Sequence, residues 1–228
     1  FSFKFYKKKI SLKKISNFLI PWIIYAIVVY LLNRYFLKKK LFRSDTGSKH
    51  QLFANDSVPL TGGFFILFPV LYIYIQIDFL LCLYFLLIYL IGFMSDVNFL
   101  KSPKKRFFLQ LSLIILFIFY TKLEVLPTRI DFIDSFIENT FFSYALTVFC
   151  LMILINGSNF IDGLNGLSIG YFSIIAIVLF KTDLFYSLGF SNEQFLFLIF
   201  AILLILLLNY FNQLFIGDSG AYALSFLM

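Results

Sequence analysis

The chain has 228 residues, 61% of them hydrophobic and only 14% charged, with a mean hydropathy of +0.92. A soluble domain carries about 25% charged residues, so composition excludes an ordinary water-soluble fold and points to an integral membrane protein. The formal charge of +7 would suggest a nucleic-acid ligand on a soluble protein; here the cations lie in loops between apolar runs, where they report topology and contact with anionic membrane lipid, and no nucleic-acid partner is expected.

The chain opens with six lysines among aromatic and aliphatic residues (Lys4, Lys7, Lys8, Lys9, Lys13, Lys14). Residues 1–17 read as a basic interfacial segment. The apolar stretch that follows, 18–36, has no small-residue cleavage site, so it reads as a retained anchor rather than a signal peptide. Further apolar runs lie at 62–77, 79–94, 107–123, 141–156, 167–180 and 195–211, and an eighth starts at Ala221. The expected fold is all-α: a polytopic transmembrane bundle of about eight segments over residues 18–228. A spanning helix needs roughly twenty residues, and the eighth run, Ala221 through Met228, holds eight. With no methionine at position 1, the expectation is a piece of a longer protein.

Alternating crossings divide the loops into two classes. Loop 37–61 carries Lys38, Lys39, Lys40, Arg43 and Lys49, and loop 95–106 carries Lys101, Lys104, Lys105 and Arg106. The other class is acidic or mixed: Glu124, Asp131, Asp134 and Glu138 against Arg129 in 124–140, and Asp183 and Glu193 against Lys181 in 181–194. The positive-inside bias places 37–61, 95–106, 156–166 and 212–220 in the cytoplasm. The same parity puts the six N-terminal lysines outside, against the rule.

Little else offers chemistry. Cys82 and Cys150 fall inside apolar runs and read as packing residues, His50 is the single histidine, and zinc spacing, a P-loop and a dinucleotide glycine fingerprint are all missing. What remains is three polar clusters at the ends of apolar runs, all on the predicted cytoplasmic side. In the first, the apolar helix is expected to stop at Ile155, followed by Asn156-Gly-Ser-Asn159-Phe-Ile-Asp162-Gly-Leu-Asn165-Gly-Leu. A helix cap would explain one such residue, but not four amide or carboxylate side chains with three glycines. Glycines let a backbone approach phosphate, and Asn and Asp orient it or hold a cation.

The second cluster, Gly217-Asp218-Ser219-Gly220, reads either as a tight turn or as a magnesium site on Asp218. The third, Ser95-Asp96, is followed by Ser102-Pro103-Lys104-Lys105-Arg106; Asp96 either caps the next segment or faces a metal or proton, with the cations drawing an anionic headgroup. Lys49-His50 and Val58-Pro59-Leu60-Thr61-Gly62-Gly63 are weaker signals, read alone as a solvated histidine and a turn. Carboxylates at a bilayer edge are costly unless they bind something, and phosphoryl transfer needs a metal, cations and a positioned nucleophile.

Taken in order, Val58–Gly63, Ser95-Asp96 through Gln110, Asn156–Leu167 and Gly217–Tyr222 resemble the polyprenyl-phosphate N-acetylhexosamine-1-phosphate transferases. The resemblance covers about residues 45–228, and its Asn-x-x-Asn-x-x-Asp-Gly-Leu-x-Gly-Leu element is the most specific part. Lys49-His50-Gln51 looks more like the branch that initiates glycans with N-acetylglucosamine than the peptidoglycan branch.

The resemblance implies a multi-pass protein of the bacterial inner membrane with a cytoplasmic site. UDP-N-acetylhexosamine and polyprenyl (undecaprenyl) phosphate would be substrates, UMP the leaving product, Mg²⁺ (or Mn²⁺) the cofactor, and a homodimer one assembly. It implies Asp218 as metal ligand, Asp162 beside the reacting phosphates and Asp96 as the acceptor of the lipid phosphate proton. Asn159 would shape the site, Asn165 would contact uridine, and Lys49, His50 and Arg106 would touch substrate.

This chain departs from the pattern at Ser95, where the family has the first acid of an Asp-Asp pair, and at Asn165, where many members have Asp. Asn209 to Asp218 is one residue short, and the later helices and histidine-rich loop would lie beyond Met228. Serine is too weakly acidic to replace a carboxylate base, so a catalytically impaired homologue is one alternative. A CDP-alcohol phosphotransferase would need an Asp-Gly-x-x-Ala-Arg element, which Asp162-Gly163-Leu164-Asn165-Gly166 does not supply. A transporter should place polar residues near mid-bilayer, whereas polarity here collects at segment ends.

Overall fold

The computed structural model describes residues 12–42, 58–162, 166–182 and 189–228. These form nine α-helices: α1 (Leu12–Lys39), α2 (Gly62–Ile77), α3 (Phe79–Asp96), α4 (Pro103–Thr121), α5 (Asp131–Ile137), α6 (Thr140–Ile161), α7 (Leu167–Lys181), α8 (Asn192–Tyr210) and α9 (Gly217–Leu227). Among the described residues no strand forms, and an isolated parallel bridge joins Leu60 to Phe215. The expected all-α membrane bundle is found. Residues Leu19–Lys39 of α1, with α3, α6 and α8, are each long and apolar enough to cross a membrane. Helices α2 and α7 are also apolar but have 16 and 15 residues, or about 24 and 23 Å at 1.5 Å per residue. Large side chains such as Phe68, Tyr72, Ile75, Phe141 and Phe149 face outward, as suits a protein whose solvent is hydrocarbon.

Local sequence sets the starts of four helices. Asp78 accepts the Leu80 N–H at 2.7 Å to start α3, Asn139 accepts the Phe141 N–H to start α6, and Ser191 and Gln194 close a reciprocal capping box on α8. Pro103 takes the first turn of α4, where its missing N–H costs nothing.

Three boundaries correct the sequence reading. Helix α6 does not stop at Ile155 but continues to Ile161, because its polar residues find partners without unwinding. Asn156 Nδ2 donates back to the Met152 carbonyl at 2.9 Å, and the Ser158 hydroxyl bonds the Ile155 carbonyl at 2.9 Å. Helix α9 starts at Gly217 rather than Ala221, so Gly217–Gly220 is a first helical turn. Lys104, Lys105 and Arg106, read as loop, lie in the first turn of α4. Helix α5 was not anticipated. It has seven residues inside the acidic loop, with Asp134 accepting from the Thr128 N–H, the Thr128 hydroxyl and the Arg129 N–H.

The loop alternation is reproduced. At one end, the Leu60 N–H donates to Phe42, Phe215 to Pro59, and Gly62 and Gly63 to Phe215 and Ile216. The ends of α3, α4, α6, α8 and α9 gather beside them. At the other end Gln194 meets Gln76 at 2.9 Å, and the Tyr120 hydroxyl donates to Asp78 at 2.7 Å. That hydroxyl, with the Leu80 N–H, holds the Asp78 carboxyl below the usual carboxylate range.

The most enclosed element is α9, which packs on α3, α6 and α2 and buries every residue from Ser219 to Phe226. Glycines admit it. A Cβ on Gly63 would stand 2.4 Å from the Gly220 nitrogen, and one on Gly92 would stand 2.5 Å from Ser219 Cα. Small residues give membrane helices this kind of backbone contact. The Val58–Gly63 segment, read alone as a turn, is therefore the seat of α9. Helix α1 lies outside, its Trp22 ring stacked on Phe200 of α8 with centroids 5.0 Å apart.

Candidate active site

The head of α9 gathers the site. Asp96, the last residue of α3, accepts the Asp218 N–H through Oδ1 at 2.7 Å and the Ser219 N–H through Oδ2 at 3.0 Å. It thereby caps α9 from another helix and meets the partial positive charge of that terminus. Gly217 is required there: its φ is +68°, and a Cβ would fall 2.7 Å from Asp96 Oδ2.

Asp218, fixed by that cap, receives two further donors on Oδ2. The Arg106 guanidinium approaches to 2.5 Å and the Ser95 hydroxyl to 2.6 Å, and Arg106 also donates to Ser95. Ser95, Asp96, Arg106 and Asp218, up to 123 residues apart in sequence, form one knot. The Arg106 and Asp218 side chains keep 20% and 15% exposure, so the knot borders a surface that a ligand can reach.

Helix α6 supplies the adjacent wall. Asn159 Nδ2 donates to the Tyr222 hydroxyl of α9 at 3.3 Å. The Ser158 hydroxyl meets the Ala221 carbonyl at 3.2 Å and the Ser225 hydroxyl at 2.5 Å. Asp162 follows as the C-terminal cap residue of α6, its N–H on the Ser158 carbonyl, and is buried. Beyond it, the Gly166 N–H donates to Asn209 Oδ1 at 2.6 Å, while Asn209 Nδ2 holds the Leu214 carbonyl at 2.9 Å. Asn209 thus ties the start of α7 to the approach to α9.

Of the residues singled out from sequence, Asp96, Arg106 and Asp218 meet directly, and Asn159 bonds the Tyr222 hydroxyl one turn further along α9. Asp162 lies on the neighbouring helix end. Lys49, His50 and Asn165 lie outside the described residues. Sequence reading counted Asn156 only as one polar residue of a cluster and gave no role to Gln110 or Tyr222; together the three link α4, α6 and α9, and the available signal was a polar residue inside an apolar run, as Gln110 is.

Among the described residues, no group of three or more His, Cys, Asp or Glu side chains forms a metal-holding cluster. Magnesium does not require one, since it is commonly held by one or two carboxylates plus substrate phosphates. Asp218 Oδ2 and Ser95 Oγ offer two oxygens 2.6 Å apart, a donor set that fits this mode. Arg106 occupies the same carboxylate oxygen, so an ion bound there and the guanidinium compete for it.

No curated protein matches the chain. The sequence model described as glycosyl transferase family 4 does match, over residues 78–228. That span starts at the cap of α3 and takes in every element contributing to the knot at the head of α9, and the chain belongs to this family.

Proposed function

We propose that this chain transfers an N-acetylhexosamine-1-phosphate from its UDP-sugar to polyprenyl phosphate, releasing UMP and initiating a cell-envelope glycan at the cytoplasmic face of a bacterial inner membrane. Membership of the family supports the coarser activity, a polyprenyl-phosphate sugar-1-phosphate transferase. The observation that carries the finer reading is Asp218, held at the head of α9 by Asp96 and faced by Arg106, a guanidinium that favours phosphate oxygens.

In the proposed reaction an oxygen of the lipid phosphate attacks the sugar-bearing phosphorus. One P–O bond forms, the bond to the uridylyl oxygen breaks, and UMP leaves with the electron pair. Mg²⁺ on Asp218 would neutralise the charge that develops on the diphosphate. Arg106 orients the anionic groups, Asn159 shapes the sugar-nucleotide side, and Asp162 lies beside the reacting phosphates.

Both Asp96 oxygens are engaged by N–H groups of α9, so we assign Asp96 to hold Asp218 rather than to take a proton. None needs taking at neutral pH: a phosphate monoester loses its second proton near pH 6. Ser95 in place of an acid is then compatible with activity, because its hydroxyl serves as a donor to Asp218.

Membranes containing the complete protein, offered several UDP-sugars with and without Mg²⁺, should form lipid-linked product and UMP in a metal-dependent way. Asp218→Asn and Asp162→Asn should each abolish product. Full activity in both variants would overturn the site.

A further inference from the structure

We propose that Tyr222 is a positioning residue for Asn159, its hydroxyl set beside the buried amide pair Asn156 and Gln110. The proposal rests on the transferase reading and deepens it, by naming what orients the sugar-nucleotide side of the site.

The pair has a direction. Asn156 Nδ2 is committed as a donor twice, to the Met152 carbonyl at 2.9 Å and to Gln110 Oε1 at 3.2 Å. That fixes the Gln110 amide, because flipping it would turn its NH₂ against the Asn156 NH₂. Gln110 is 0% exposed. Its Nε2 is buried and makes no hydrogen bond of ordinary geometry, and the Gln110 side chain lies close enough to the Tyr222 hydroxyl to act on it. Asn159 Nδ2 donates to that hydroxyl oxygen at 3.3 Å. The phenolic oxygen thus takes an amide proton from Asn159 with the Gln110 amide beside it, and Asp218 and Asp96 lie within its electrostatic reach.

Packing alone does not account for the hydroxyl. Tyr222 is 1% exposed and among the largest fully buried side chains, and a phenylalanine would fill the same space. The hydroxyl adds an acceptor where no water reaches and where an unmatched amide is costly. It holds the Asn159 amide in one orientation beside the residues that face substrate.

The test compares the complete protein with Tyr222→Phe, Asn159→Ala and the double variant in membranes, measuring KM for the sugar nucleotide and for polyprenyl phosphate separately. Tyr222→Phe should raise the sugar-nucleotide KM about two- to tenfold, the effect of one net hydrogen bond, with kcat and the lipid KM nearly constant. In the Asn159→Ala background the same change should add nothing. Gln110→Glu, which replaces the donor by an acceptor of the same shape, should reproduce the KM shift. An unchanged KM in Tyr222→Phe, full additivity in the double variant, or a loss of folded protein with an unchanged KM would overturn the proposal. Product from the unaltered protein with an indifferent Tyr222→Phe defeats the positioning role alone. No product from the unaltered protein defeats the transferase reading and the positioning role together.

Discussion

Replacing Gly92 by alanine places one methyl group where α3 touches the head of α9. Its Cβ would lie 2.5 Å from Ser219 Cα and 2.7 Å from both the Asp218 carbonyl oxygen and the Ser219 nitrogen. Ordinary contact between carbons is about 3.5–4.0 Å, so the helix head must retreat by about 1 Å. All three atoms are backbone, and no rotamer change relieves them. The same retreat stretches the Asp96 bonds to the Asp218 and Ser219 N–H groups, which stand at 2.7 and 3.0 Å, and draws Asp218 from Arg106. Overpacking of this kind costs about 1–3 kcal/mol of stability, and a misplacement of about 1 Å at a reacting centre costs on the order of a hundredfold in rate. Gly170 provides the control, since a Cβ there meets nothing within 4 Å; Gly170→Ala should keep activity and gain up to about 1 kcal/mol from helix propensity. The assay is the rate of lipid-linked product, alongside thermal unfolding of detergent-solubilised protein. Gly92→Ala with the rate and melting temperature of the unaltered protein would refute the argument that α9 is seated by backbone contact.

Ser95→Asp puts a carboxylate beside Asp218 Oδ2, from which the serine oxygen is 2.6 Å distant. It should retain or raise activity at saturating Mg²⁺ and lower the half-saturating Mg²⁺ concentration; loss of activity at every Mg²⁺ concentration would show that the serine hydroxyl itself is needed. Cysteines at Lys101 and Lys104 should be shielded from impermeant reagents applied outside, while one at Leu126, which is 80% exposed in the opposite class of loop, should label; the reverse pattern inverts the orientation. Hydrogen bonds from the Thr128 hydroxyl, then from the Thr128 and Arg129 N–H groups, hold the Asp134 carboxyl below its usual range. A depressed folded value means the stabilisation is complete above the unfolded carboxylate value, about 3.9, and is lost as pH falls through the lower folded value. Protection of the Thr128 and Arg129 amides, taken relative to their intrinsic exchange rates, should therefore fall only below about pH 4, and Asp134→Asn should remove that pH dependence.

Class, helix order and two loop sets were legible because hydrophobic runs and lysine placement report them directly, and Asp96 and Asp218 stood out as carboxylates at run ends. What escaped had a physical reason in each case. The Asn156–Ile161 stretch looked like a helix break, but its amide and hydroxyl groups bond back to Met152 and Ile155 and across to Gln110 and Ala221, and the last two partners are not revealed by local sequence. Helix α5 has seven residues, too few to show a period. Gln110 and Tyr222 matter through contacts 46 and 63 residues away in sequence, and spacing says nothing about such pairs. The glycines at 62, 63 and 92 declare only that a side chain is unwelcome; which backbone comes close is a tertiary fact.

The seating of α9 also bears on biogenesis. It is the last of the described helices to leave the ribosome, yet it occupies the interior between α2, α3 and α6. Until it arrives, the earlier helices enclose an unfilled slot, and the parallel contact of Leu60 with Phe215 has no second edge. A nascent chain arrested before Gly217 would carry its arginine and its α3 carboxylate with nothing to hold, so competence for chemistry would come only with completion of translation through this segment.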